Sequence, residues 1–111
     1  MTLKRVDEQY RGLTYTWGRL DHPEETPFQV APGVWWLRFT MPGPLNHINL
    51  WLLEDGDGWT IVDTCLNLET AKAQWESLFD GFMGGKPVKR VICTHMHPDH
   101  IGLAGWLCER F

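Results

Sequence analysis

Hydrophobic positions along the chain follow two different periods, and the changes between them mark out the elements. Pro32-Gly33 introduces Val34-Trp35-Trp36-Leu37-Arg38-Phe39, a β-rich run of strand length that Met41-Pro42-Gly43-Pro44 breaks. Ile48-Asn49-Leu50-Trp51-Leu52-Leu53 and Trp59-Thr60-Ile61-Val62 then flank Glu54-Asp55-Gly56-Asp57-Gly58. Two apolar runs around an Asp-Gly pair predict a β-hairpin, with glycine supplying the positive φ of the turn. Further on the period lengthens to about 3.6 residues. Leu68, Ala71, Trp75, Leu78, Phe79 and Phe82 share one helix face, with Asn67 as the expected N-cap and Gly84-Gly85 and Pro87 as the stop. Val88-Lys89-Arg90-Val91-Ile92-Cys93 reads as another short strand. Asp99 is expected to cap a last helix from His100 to Phe111, with Ile101, Ala104, Leu107, Cys108 and Phe111 near one face.

The N-terminal segment, residues 1–33, carries weaker signals and is read as irregular. Within it Leu13, Tyr15 and Trp17 alternate with Thr14 and Thr16 in the period of a half-buried strand, and Asp21 to Pro27 form an acidic, proline-punctuated surface loop. Residues 34–111 then hold hairpin, helix, strand, a histidine-rich motif and helix, which makes an α/β chain. The step from Trp59 to Cys93 has the length of a strand-helix-strand crossover. A ligand is expected at the carboxyl ends of these strands, where Asp63 and the histidine-rich segment both fall.

Composition adds boundaries. The chain has 111 residues, 43% of them hydrophobic and 22% charged, which suits one domain with a real core and excludes intrinsic disorder. No apolar run approaches the roughly 20 residues of a membrane-spanning helix, so no membrane partner is expected. The start, Met1 to Glu8, turns acidic at once and lacks the apolar stretch of a signal peptide, and the expectation is a soluble cytoplasmic protein. A formal charge of −4, with two basic residues at Lys89 and Arg90 but no long basic run, disfavours nucleic acid. Cys65, Cys93 and Cys108 are odd in number and fit reduced thiols better than a disulfide framework. Seven tryptophans suggest a large aromatic core or a surface awaiting more chain.

The chemistry concentrates in Thr94-His95-Met96-His97-Pro98-Asp99-His100. In an extended backbone residues i and i+2 point the same way, so His95 and His97 can present two imidazoles to one ion. Asp99 and His100 complete a ligand set suited to zinc, manganese or iron. Taken singly the same residues have ordinary readings: Asp99 as an N-cap, Asp63 as a turn former at a strand end, His47 and His22 as strand-entry and loop residues.

This segment resembles the H-x-H-x-D-H signature of the metallo-β-lactamase-fold hydrolases. Ile61-Val62-Asp63-Thr64 is similar to that family's preceding aspartate motif, and the order of elements from about Val34 to the end is similar too. The resemblance implies an αββα sandwich with a metal site at one edge of the sheets, of which residues 1–111 would form the N-terminal half as a single partial domain. It implies that His95 and His97 bind a first metal and Asp99 and His100 a second. Asp99 would also act catalytically by holding the attacking hydroxide, and Asp63 would steady the site from behind its ligands. One or two zinc ions are the implied cofactor, with iron or manganese as alternatives. The implied reaction is hydrolysis of an ester, thioester or related bond in a small-molecule substrate by a metal-activated water. An iron-dependent dioxygenase of the same fold and a catalytically inactive truncated fragment are the alternatives.

Two departures accompany the match. Cys65 stands where the family usually carries glycine or another small residue. The family's later ligands, a further histidine, a bridging aspartate and a last histidine, are missing from this chain. The expectation is therefore a chain that is incomplete for catalysis and needs the missing half or a second subunit.

Overall fold

The computed structural model describes residues 8–15, 26–44 and 46–111. Near its start β1 (Glu8–Tyr10) and β2 (Leu13–Tyr15) pair as a small antiparallel hairpin through Arg11 and Gly12, both at positive φ. The main sheet has five strands in sequential order: β3 (Phe28–Ala31), β4 (Val34–Thr40), β5 (His47–Asp55), β6 (Gly58–Val62) and β7 (Val88–Ile92). All neighbours are antiparallel except β6 and β7, which are parallel and joined by α1 (Glu69–Asp80), the expected crossover.

The predicted hairpin is β5–β6. Gly56, the first loop residue, has φ 61°, the sign a two-residue turn of the II′ kind requires. Alternation along the strands puts Leu37, Phe39, Leu50, Leu52 and Ile61 on one face, all fully buried. Helix α1 covers that face with Ala71, Trp75, Leu78 and Phe79, and Trp75 lies 5.0 Å from Phe39 and 5.9 Å from Phe79, ring centre to ring centre. Leu103 and Leu107 close the core from the C-terminal end. Trp36 and Trp51 occupy the other face as opposed partners across β4 and β5, their rings 6.4 Å apart.

Several expectations are corrected. Helix α1 begins at Glu69 with Leu68 as its extended cap residue and no side-chain cap, so Asn67 does not fill that role. Phe82 lies beyond the end of the helix, where it packs edge-on against Trp35 at 4.7 Å. The last helix is two short ones, α2 (Pro98–Ile101) and α3 (Ala104–Arg110), separated at Gly102 and Leu103. His97 caps α2 and Asp99 sits inside its first turn, because Pro98 takes the first helical position that its fixed φ favours. Residues 1–33 are not irregular throughout: besides β1 and β2 they hold β3, a strand too short to announce itself. Trp17 and Asp21 to Glu25 lie outside the described residues. Among those described, no helix is long and apolar enough to cross a membrane.

Candidate functional site

Strands β6 and β7 end side by side, with Val62 opposite Ile92, and the ladder continues one step as Asp63 N–H donates to the Ile92 carbonyl at 2.8 Å. There the chain turns sharply. Asp63 has φ 65° and Cys65 φ 83°, left-handed conformations that cost a residue with a side chain roughly 1–2 kcal/mol. Such a conformation is open to glycine without that cost, which supplies a physical reason for the small residue expected at position 65.

The strain at Asp63 is held by what its carboxylate gathers. Only 4% exposed, it accepts the Thr94 backbone N–H at 2.8 Å and the Thr94 hydroxyl at 2.9 Å, and lies 2.8 Å from His100 Nδ1. Burial works to raise its pKa, but the bonds from Thr94 and His100 outweigh it and hold the carboxyl below its usual range. An ionised Asp63 can only accept, so His100 donates to it from Nδ1, and Nε2 is the ring nitrogen left facing away from Asp63. That Nε2 is 3.5 Å from Asp99 Oδ2.

The other two imidazoles sit outward of this pair. Thr94 to His97 form successive bends rather than the extended run expected, yet His95 Nε2 and His97 Nδ1 approach to 3.0 Å. The Thr94 hydroxyl reaches His95 Nδ1 at 2.9 Å, so this one residue touches both Asp63 and the first histidine. The His95 and His100 ring centres are 4.0 Å apart. His95 and His97 are exposed, whereas Asp99 and His100 are half-buried.

Nitrogen and carboxylate donors spaced at 3.0 and 3.5 Å lie close to the roughly 3.3 Å that separates two ligands of a tetrahedral zinc with bonds of about 2.0–2.1 Å. The donor set thus suits a divalent ion of borderline hardness. Among the described residues, however, no three His, Cys, Asp or Glu side chains converge so as to hold an ion unaided. Cys65 is wholly buried in the core cluster, and burial pushes its thiol up to about 11. Met41, Pro42 and Pro44 of the β4–β5 loop, with Leu66, form an apolar groove that opens beside His97 and Asp99.

The structure brings His95, His97, Asp99, His100 and Asp63 near one another at the carboxyl ends of β6 and β7, where the sequence motifs fall. Those motifs assigned no role to Thr94 or Thr64, whose hydroxyls bond across the site. The available signal was position: each is the residue next to a candidate site residue.

A family model, the metallo-beta-lactamase superfamily, matches residues 43–111. A probable metallo-hydrolase of Bacillus subtilis is 36% identical over 84 residues, which are 75% of this chain and 36% of that protein. A linear primary-alkylsulfatase of a Pseudomonas species is 37% identical over 75 residues, 68% of this chain and 10% of the relative. Among solved structures, a beta-lactamase domain protein from Burkholderia ambifaria superposes with a TM-score of 0.78 at 50% identity, covering 86% of this chain and 31% of that one. The chain therefore spans about a third or less of the length of each of these relatives.

Proposed function

The chain belongs to the metallo-beta-lactamase superfamily, and we propose that it supplies the N-terminal part of a metal-dependent hydrolase, with His95, His97, Asp99 and His100 as its metal ligands. The observation that carries this reading is the buried, ionised Asp63, which holds the His100 ring by Nδ1 and turns its Nε2 towards Asp99 at the end of the sheet. A carboxylate behind a histidine is the usual means of fixing a ligand imidazole and raising its basicity. Zinc is the ion the donor set suits best, and when bound it would polarise the scissile bond and acidify the attacking water.

The chain's own residues then have separable tasks. His95 and His97 bind from the exposed side and His100 from the half-buried one. Asp99 is the carboxylate placed to orient the attacking water and accept its proton. Asp63, already held by Thr94 and His100, keeps the ligand face in place without touching substrate. The Met41–Pro44 groove gives the apolar part of a small molecule a place beside His97. That favours an ester, thioester or related bond carrying an alkyl portion, in keeping with the name of the Pseudomonas relative. The ligands that complete the coordination come from polypeptide outside these 111 residues, in continuation or from a second subunit.

The test is elemental analysis of the gel-filtered chain beside a His95→Ala, His97→Ala variant. Zinc near one or two per chain once the completing polypeptide is present, lost in the variant, is the expected result, and ester hydrolysis should accompany it. A chain that takes up no more zinc than the variant, even with that polypeptide present, would refute the assignment. Tightly held iron with oxygen consumption and no ester hydrolysis would refute the hydrolase in favour of oxidative chemistry.

A further inference from the structure

We propose that Thr64 is a positioning residue that sets the backbone of His100, while its neighbour Asp63 sets the imidazole. The proposal rests on the reading of His100 as a metal ligand for its functional meaning, and on geometry for its substance.

Thr64 is completely buried, and every polar group it owns is engaged. Its N–H and its hydroxyl both donate to the His100 carbonyl, each at 2.9 Å, across 36 positions of sequence. The same hydroxyl accepts the Leu103 N–H at 3.0 Å. The Thr64 carbonyl accepts the indole N–H of Trp75 at 2.9 Å, which anchors the residue to the middle of α1. A hydroxyl can donate once and accept, and here it does both, to residues on either side of Gly102. The β-branch of threonine restricts χ1 and keeps that hydroxyl aimed.

The need for such a clamp follows from α2. Four residues make a single turn, too short to persist by its own hydrogen bonds, and its last carbonyls lack intrahelical partners. Thr64 supplies two donors to the carbonyl at that end and a partner for the first N–H beyond Gly102. The approach is so close that a Cβ on Gly102 would lie 2.6 Å from the Cys65 carbonyl oxygen. His100 is thus gripped at ring and backbone by two consecutive residues of one strand end. His95 and His97 stand in contrast, exposed, with His95 touching Thr94, His97 and the His100 ring and with neither held by a buried group.

The test compares Thr64→Val and Thr64→Ser in the full 111-residue chain. Long-range nitrogen-15 spectra of the imidazoles, recorded without metal, read the His100 tautomer directly. The unaltered chain should show one form, with the proton on Nδ1. The valine variant should show a tautomer mixture or a broadened His100 ring, with the exposed His97 unchanged, and the serine variant should restore the single form. A His100 spectrum that is the same in all three proteins would overturn the proposal. If the valine variant does not fold, hydrogen exchange on the unaltered chain decides. The Thr64 and Leu103 amides should exchange as slowly as those of β6, and rapid exchange of Leu103 would overturn the clamp. Zinc titration is a separate arm: a roughly 10- to 100-fold loss of affinity in the valine variant is expected. If the unaltered chain binds no zinc even with the completing polypeptide present, while the His100 signature still responds to Thr64, the metal reading fails and the positioning role stands.

Discussion

The Asp63 carboxylate and the His100 imidazole meet at 2.8 Å although 37 positions of sequence separate them. One sits at the end of a buried strand and the other on a one-turn helix, and their bond joins the sheet to the histidine-rich segment. The charge on Asp63 decides which imidazole nitrogen is free, so a change of charge without a change of shape is the informative perturbation.

Asp63→Asn makes that change. Asparagine tolerates the left-handed φ of 65° at this position, so the turn is retained. Its amide N–H₂ would face His100 Nδ1, favour the opposite tautomer and place a proton on the ligand nitrogen. Zinc affinity should fall roughly 10- to 100-fold with little change in far-ultraviolet circular dichroism. A competition titration with a chromophoric chelator measures it, and equal affinities would show that Asp63 does not govern the tautomer.

Two glycines in the C-terminal region should respond in opposite directions. A Cβ on Gly102 would lie 2.5 Å from the Pro98 carbonyl oxygen and 2.6 Å from that of Cys65, backbone atoms with no room to yield. Gly102→Ala should therefore destabilise the chain by about 1–3 kcal/mol. Gly105 lies in α3 with nothing within 4 Å of a Cβ, and Gly105→Ala should stabilise by about 0.5–1 kcal/mol. Urea denaturation with a common m-value separates the two signs.

Cys65 gives the chain an alkaline limit. Burial raises its thiol from 9.0 to about 11, so the folded state holds the proton more tightly than the unfolded one. The stabilisation is whole below the unfolded value and is lost as pH rises from about 9 towards about 11. In Cys65→Gly that decline should be absent. Relief of the positive φ should offset the lost packing and leave neutral-pH stability within about 1 kcal/mol of the parent. Urea midpoints from pH 7 to 11 check both points. An alkaline decline equal in parent and variant would assign it to other groups.

Trp75 joins the core to the site through one hydrogen bond. Trp75→Phe keeps an aromatic ring against Phe39 and Phe79 but leaves the buried Thr64 carbonyl without its indole partner. A loss of about 1–3 kcal/mol is expected, with faster exchange of the Leu103 amide as the local signature. Loss of stability with Leu103 unaffected would confine Trp75 to packing.

The sequence by itself determined the elements and the address of the site. Period-two alternation marked β4 to β6, the 3.6-residue stripe marked α1, and the clustered histidines with Asp63 pointed to the ends of β6 and β7, because all of these patterns are local. It missed β3, whose four residues span too little of a period, and the split of the last helix, whose apolar stripe runs on through Gly102 and Leu103. Tertiary structure decided the rest. The left-handed turns at Asp63 and Cys65, the free nitrogen of His100 and the grip of Thr64 all depend on partners some 30 or more positions away. A pattern of hydrophobic spacing carries no term for such contacts, which arise only when the end of β6, the end of β7 and the start of α2 are packed into the same few ångströms.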